Sequence, residues 1–138
     1  MITIKYAQIR EMDISKEWTK EIENKFLQLI DKSYITRVSF LGGDPLYSKN
    51  LNKIIDLCNK IKRIYPDTKI WLYSGYKFED ILSDIQYKKI LKYIDILIDG
   101  QFVDELKNLN LKFRGSSNQR IIDVQKSLKE SKIILYIN

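Results

Sequence analysis

The chain has 138 residues, 44% hydrophobic and 30% charged, which excludes a disordered tail and a membrane-embedded bundle and fits one domain over 1–138. Zero His and one Cys exclude His-based catalysis, structural zinc and intramolecular disulfides, and the three or four thiolates of an iron–sulfur cluster cannot be drawn from these residues alone. With 24 Lys+Arg against 18 Asp+Glu the net charge is +6, compatible with nucleic acid or an acidic partner, although mixed charges on helix faces are also ordinary solubilising surface.

In chain order, Ile2 to Ile9 is rich in β-branched residues and reads as a strand. A helix follows from Trp18 to Ile30, with Ile22, Phe26, Leu29 and Ile30 on its apolar face. Val38 to Leu41 reads as a short buried strand that stops at Gly42-Gly43. The next helix, Ser48 to Tyr65, places Leu51, Ile54, Ile55, Cys58 and Ile61 on one stripe, and Pro66 ends it. Cys58, the lone thiol, is therefore expected in the core. Lys69 to Tyr73 is a strand closed by Ser74-Gly75, followed by a helix from Phe78 to Tyr93. Ile94 to Ile98 is an apolar strand ending at Asp99-Gly100. A short helical stretch at Phe102 to Leu106, a polar loop at Arg114 to Asn118 and a helix to Lys129 lead to a last strand, Ile133 to Ile137.

Apolar strands separated by helices predict an α/β fold, a partial barrel of mostly parallel strands with outer helices. The loops after the strand C-termini then form the working edge, and three of them carry Gly beside polar residues. No apolar run reaches the ~18–20 residues of a bilayer span, and the first residues lack the layout of a signal peptide, so the expected setting is cytoplasmic, without membrane contact.

Val38-Ser39-Phe40-Leu41-Gly42-Gly43-Asp44-Pro45-Leu46 resembles the radical-SAM superfamily, in particular the activating proteins of anaerobic (class III) ribonucleotide reductases. Ile70 to Tyr76, Asp95 to Phe102 and Lys112 to Arg120 match in the same order, and Trp18 to Ile30 is similar to the helix before the Gly-Gly strand. The resemblance implies a radical-SAM-like barrel and a cleft for S-adenosylmethionine. In that family a Cys-x3-Cys-x2-Cys loop after the first strand holds a [4Fe–4S] cluster that chelates this cofactor. Here Tyr6 to Ile14 resembles the opening of the family and Ser15 to Trp18 the segment beyond the cysteines, so the loop between them is expected to be absent, and the cluster with it.

By the resemblance, Gly42, Gly43, Asp44, Pro45, Ser74 and Gly75 mark a vestigial S-adenosylmethionine cleft retaining at most weak affinity; the same residues also read as turns at strand ends. Asp99 and Gly100 would border it. Arg114, Ser116, Ser117, Asn118 and Arg120 offer guanidinium, hydroxyl and backbone donors for a partner or a phosphate, while Ser116 or Ser117 equally suits the cap of the following helix. Replacing Arg114 and Arg120 by Ala is expected to weaken partner binding with little change in melting. No carboxylate pair has acid–base spacing and no metal site is expected.

The leading expectation is a non-catalytic binding protein on this scaffold, a modulator or inhibitor encoded by a phage or mobile element. Its target would be a host protein, a ribonucleoprotein of a defence complex, or the anaerobic reductase itself. The alternative is the activating enzyme the resemblance names, generating a glycyl radical with S-adenosylmethionine. A binder of a nucleotide-like small molecule is the third.

Overall fold

The structure, a computed structural model, describes residues 2–7, 10–13, 19–42 and 50–137, with side chains for 19–41 and 50–137. The expected site residues Gly43, Asp44 and Pro45 lie outside them.

The first strand is shorter than its pattern. Ile2–Ala7 (β1) pairs antiparallel with Arg10–Asp13 (β2), a strand beyond the β-branched run that the pattern does not predict. Thr19 caps the helix Lys20–Ile30 (α1), its hydroxyl accepting from the Ile22 N–H at 3.1 Å, and Phe26 and Ile30 of the predicted stripe are buried. Arg37–Gly42 (β3) leads to Leu51–Ile64 (α2) and Lys69–Tyr73 (β4). The helix α2 stops two residues short of Pro66, as expected from the clash between the proline ring and a helical predecessor.

The predicted helix from Phe78 to Tyr93 is two pieces, Phe78–Ser83 (α3) and a 3-10 stretch Tyr87–Tyr93. Asp84 makes the break: its backbone is extended and its carboxylate accepts from the N–H groups of Gln86 and Tyr87 at 2.8 and 2.9 Å, a local bond that competes with helix continuation. Ile96–Asp99 (β5) follows as predicted. A 3-10 turn, Asp104–Leu106, falls within the short helical stretch predicted at Phe102 to Leu106. Arg120–Asp123 (β6) is then a strand where the pattern predicts the start of a helix. The helix Val124–Glu130 (α4) is capped by Asp123, whose carboxylate accepts from Lys126 N–H at 3.1 Å, so neither Ser116 nor Ser117 has the capping role offered to it. Leu135–Ile137 (β7) is the last element described.

The strands form one sheet in the order β2-β1-β3-β4-β5-β6-β7. Its centre, β3-β4-β5, is parallel, as the alternation of strands and helices requires. Its flanks depart from that expectation: β1 joins β3, β6 joins β5 and β7 joins β6 antiparallel. The α/β class stands, whereas the barrel of mostly parallel strands is, by its pairing, a mixed sheet with β2 and β7 at its edges.

Alternation along the strands separates two apolar faces. Val38, Phe40, Ile70, Leu72, Leu97 and Ile122 point to the helices, where Phe26, Ile54, Cys58 and Ile61 join them in the main core. Trp71, Ile96, Ile98 and Ile121 form a second cluster on the opposite face. Asp95 ties the layers together, its carboxylate accepting from Lys62 Nζ at 2.6 Å and from Ile70 N–H at 2.8 Å. Among the described residues no helix is long and apolar enough to cross a membrane.

Candidate functional site

A parallel strand delivers its C-terminal end to the same edge as its neighbour, so the loops after β3, β4 and β5 are adjacent. An open cleft of about 440 Å³ lies there. Leu41 closes it from β3, Tyr73, Ser74 and Gly75 from β4, Gly100, Gln101 and Phe102 from β5, and Gln119 reaches in from the start of β6. Three expected positions thus meet at one edge: Gly42, whose backbone ends β3, and the pair Ser74 and Gly75.

The walls are fixed by short-range chemistry. Ser74 is buried; its N–H donates to the Ile98 carbonyl at 3.0 Å and its hydroxyl accepts from Tyr76 N–H at 3.0 Å, which fixes the turn after β4. Gly100 has φ +91°, a conformation side chains strain to adopt, so the exit from β5 needs glycine. Gly115 lies against Phe102: a Cβ there would sit 2.9 Å from the ring. Burial raises the Tyr73 phenol above its usual range, only partly offset by the Arg37 charge, so it faces the cleft as a neutral donor and acceptor.

Next to Gly100, at the end of β5, lies an ion cluster that does not itself line the cleft. Asp99 is 1% exposed, and its carboxylate accepts from Arg120 Nε at 3.0 Å, Arg120 Nη2 at 2.5 Å and the Phe78 N–H at 2.8 Å. The same guanidinium reaches Glu79 on α3 at 2.5 Å. Three elements (β5, β6 and α3) meet at one fork-shaped cation. Asp99 first and Glu79 second hold the guanidinium above its usual range, and Arg120 in turn lowers Glu79.

The polar loop is equally committed. Arg114 Nη1 donates to the Gln119 carbonyl at 2.5 Å, the Gln119 side chain accepts from Gly115 and Ser116 N–H and donates to the Gly100 carbonyl, and Asn118 Nδ2 donates to the Gln101 carbonyl at 2.7 Å. Ser116 is fully buried, its hydroxyl accepting from Val103 N–H and pairing with Asn118 Oδ1. Of the five residues expected to meet a partner, only Ser117 and Asn118 are exposed. The loop therefore braces the cleft wall. Sequence reasoning misses Gln101, Phe102 and Gln119 as lining residues; the first two follow directly on Gly100 at a strand end, which is the signal available, whereas Gln119 arrives through the unpredicted strand β6.

A profile for the 4Fe-4S single cluster domain matches residues 6–122. Among curated proteins, the anaerobic ribonucleoside-triphosphate reductase-activating protein of Enterobacteria phage T4 is 44% identical over 92 residues, 67% of this chain and 56% of that protein. The protein of the same name from Vibrio cholerae is 37% identical over 106 residues, covering 75% of this chain and 67% of its own length. That from Escherichia coli K12 is 35% identical over 104 residues, covering 74% and 66%. The chain thus spans about half to two thirds of the curated relatives it matches. No solved structure matches it significantly.

These matches overturn one expectation. The family takes its name from a 4Fe–4S cluster and the relatives are activating proteins, so they point to an iron–sulfur cofactor where none was expected. A count of thiols in 138 residues bears on what supplies the ligands and leaves open whether the cofactor takes part. As a source of those ligands the described residues do not fit. Cys58 is fully buried in α2 among the core residues, and burial pushes its thiol far above the usual range. Among the described residues no group of three His, Cys, Asp or Glu side chains converges.

Proposed function

We propose, for a chain that belongs to the 4Fe-4S single cluster domain family and to the anaerobic ribonucleoside-triphosphate reductase-activating proteins within it, that it works in the cytoplasm in switching on that reductase. In this reading the cleft between Ser74-Gly75 and Gly100-Phe102 takes S-adenosylmethionine, with Gly42, Gly43, Asp44 and Pro45 contributing as the family resemblance implies, and the reductase is the macromolecular partner. Ser117 and Asn118, the exposed residues of the neighbouring loop, touch that partner. The observation that carries the reading is the extent of the match: residues 6–122 include all three parallel strands whose ends build the cleft.

A cleft with a fixed wall suits such a ligand. The carbonyls of Gly100 and Gln101 are already held by Gln119 and Asn118, so little ordering is required on binding. A neutral Tyr73 supplies one polar contact and Phe102 one flat apolar wall.

A second reading, a modulator that occupies the reductase without activating it, rests on the lone buried thiol Cys58. The names of the relatives favour activation. A host defence target has no support beyond the chain's basic charge.

The test is calorimetry of the protein with the anaerobic reductase, then with S-adenosylmethionine, followed by an anaerobic assay of reductase activity with iron and sulfide present. A saturable complex and a gain of reductase activity are expected, with Gly75→Leu removing the cofactor heat. A complex without activity gain supports the modulator. Absence of a complex refutes both.

A further inference from the structure

The sheet face turned away from the helices carries a cluster that the cleft does not use. Trp71 is 5% exposed, and the Arg37 guanidinium lies 4.4 Å from its ring centroid and 5.6 Å from that of Phe113. Phe113 and Tyr136 meet the indole edge-on, at 5.0 and 5.7 Å. The indole is covered, but its covers are open: Phe113 is 40% exposed, Tyr136 is 52% exposed, and Arg37 is exposed. Phe113 also holds φ +64°, an uncommon conformation for a bulky residue, and in it the ring rests on Trp71.

Cations gather beside these rings. Arg37 and Lys69 are register partners on parallel strands, so the two-residue period puts them on one face. The Lys69 side chain is 64% exposed and only loosely held, 4.0 Å from Asp95. Lys112, next to Phe113, is exposed too. Among the described residues no carboxylate is within ion-pair distance of Arg37.

We propose that this cluster binds single-stranded nucleic acid, with Arg37 and Lys69 on backbone phosphates and the rings of Phe113 and Tyr136 under stacked bases. A guanidinium stacked on an indole keeps its N–H edge in plane, the edge a phosphate oxygen requires. Exposed rings stack on any base, and a net charge of +6 adds the sequence-independent attraction. An acidic peptide would satisfy the cations and leave both rings idle. The surface shares no lining residue with the cleft, although Tyr73 of the cleft wall packs against the same apolar cluster, and its role does not depend on reductase activation.

The experiment follows Trp71 fluorescence in a Trp18→Phe background during titration with short oligo(dT), and separately with oligo-glutamate. A saturable change with oligo(dT) is expected, its log affinity falling linearly with log salt. Phe113→Asn, which suits positive φ while removing the ring, should lose about tenfold in affinity. Arg37→Ala should reduce the salt slope by about 0.7, one phosphate contact. Circular dichroism melts confirm that each variant folds, and Tyr136→Leu replaces the Phe113 variant if that one does not. No saturable change, equal affinity for oligo-glutamate, or ring variants that bind as the parent would each overturn the proposal.

Discussion

Arg120→Ala separates a bracing residue from a docking residue. The guanidinium supplies two of the three donors on the Asp99 carboxylate, which is 1% exposed; after truncation only the Phe78 N–H remains. Removing one partner of a fully buried ion pair costs about 3–5 kcal/mol, because the other charge is left without compensation. Here the Arg120 side chain is 30% exposed, so water enters the vacated side, and the lower end of that range, about 3 kcal/mol, is appropriate. The Glu79 contact adds at most about 1 kcal/mol, since the Glu79 side chain is 58% exposed. For a domain of this size the melting temperature should fall by about 10 °C. Arg120→Lys keeps a charge without the fork and should fall between the two. The assay is thermal unfolding by circular dichroism, with Asp99→Asn and the double variant closing a cycle. A melting point within about 1 °C of the parent, or additive single effects, would refute the reasoning. The expectation that Arg114 and Arg120 can be removed with little change in melting is reversed by this geometry.

The other predictions concern acid, sulfur and backbone. Because Arg120 lowers the Glu79 carboxyl, that pair stabilises the fold above the unfolded-state value near 4.5 and the contribution is lost as pH falls through the lower folded value; Arg120→Ala should flatten the stability-versus-pH curve below pH 4.5. Cys58 should resist a thiol reagent in the native protein and react stoichiometrically in denaturant; fast native labelling would contradict its burial and reopen it as an iron ligand. Gly100→Ala should destabilise by about 1 kcal/mol through its positive φ, measurable by urea unfolding, whereas Gly115→Ala should act on Phe102 and so alter ligand affinity in the cleft.

Most of the elements are legible in the sequence because apolar spacing reports burial. Of the stripe Leu51, Ile54, Ile55, Cys58 and Ile61, all but the half-buried Ile55 are buried as the period requires, and Lys69–Tyr73 has the predicted bounds. Misses fall where a local bond or a distant pairing decides. Asp84 splits a continuous helical pattern with two side-chain bonds. Arg120 to Asp123 has too few residues for a period and becomes a strand only because β5 and β7 flank it. β2, Arg10–Asp13, is missed for the same reason: four residues without a β-branched side chain become a strand only by pairing with β1. In the site, the glycines at strand ends are readable as turn chemistry. That Arg120 faces Asp99 across 21 residues of sequence is not, because register across an antiparallel pair is a tertiary fact.

That pairing also explains why a loop rich in donors is a poor place to look for a free binding surface. Arg114, Ser116, Asn118 and Gln119 have the composition of an anion site, yet apart from the buried, unpartnered Arg114 Nε their donors that form bonds meet carbonyls and side chains of the loop itself and of the loop after β5. Side-chain bonding to a neighbouring backbone is how an irregular segment satisfies the groups that a strand would satisfy by pairing. The consequence reaches the cleft: Gly100 and Gln101 have their carbonyls held by Gln119 and Asn118, so ligand affinity there should depend on bonds behind the wall as well as on the wall itself. Cations available to a partner are then those left outside such networks. Arg37, stacked on Trp71 and without a carboxylate in reach among the described residues, is the example the fold provides, on the opposite face from the helices.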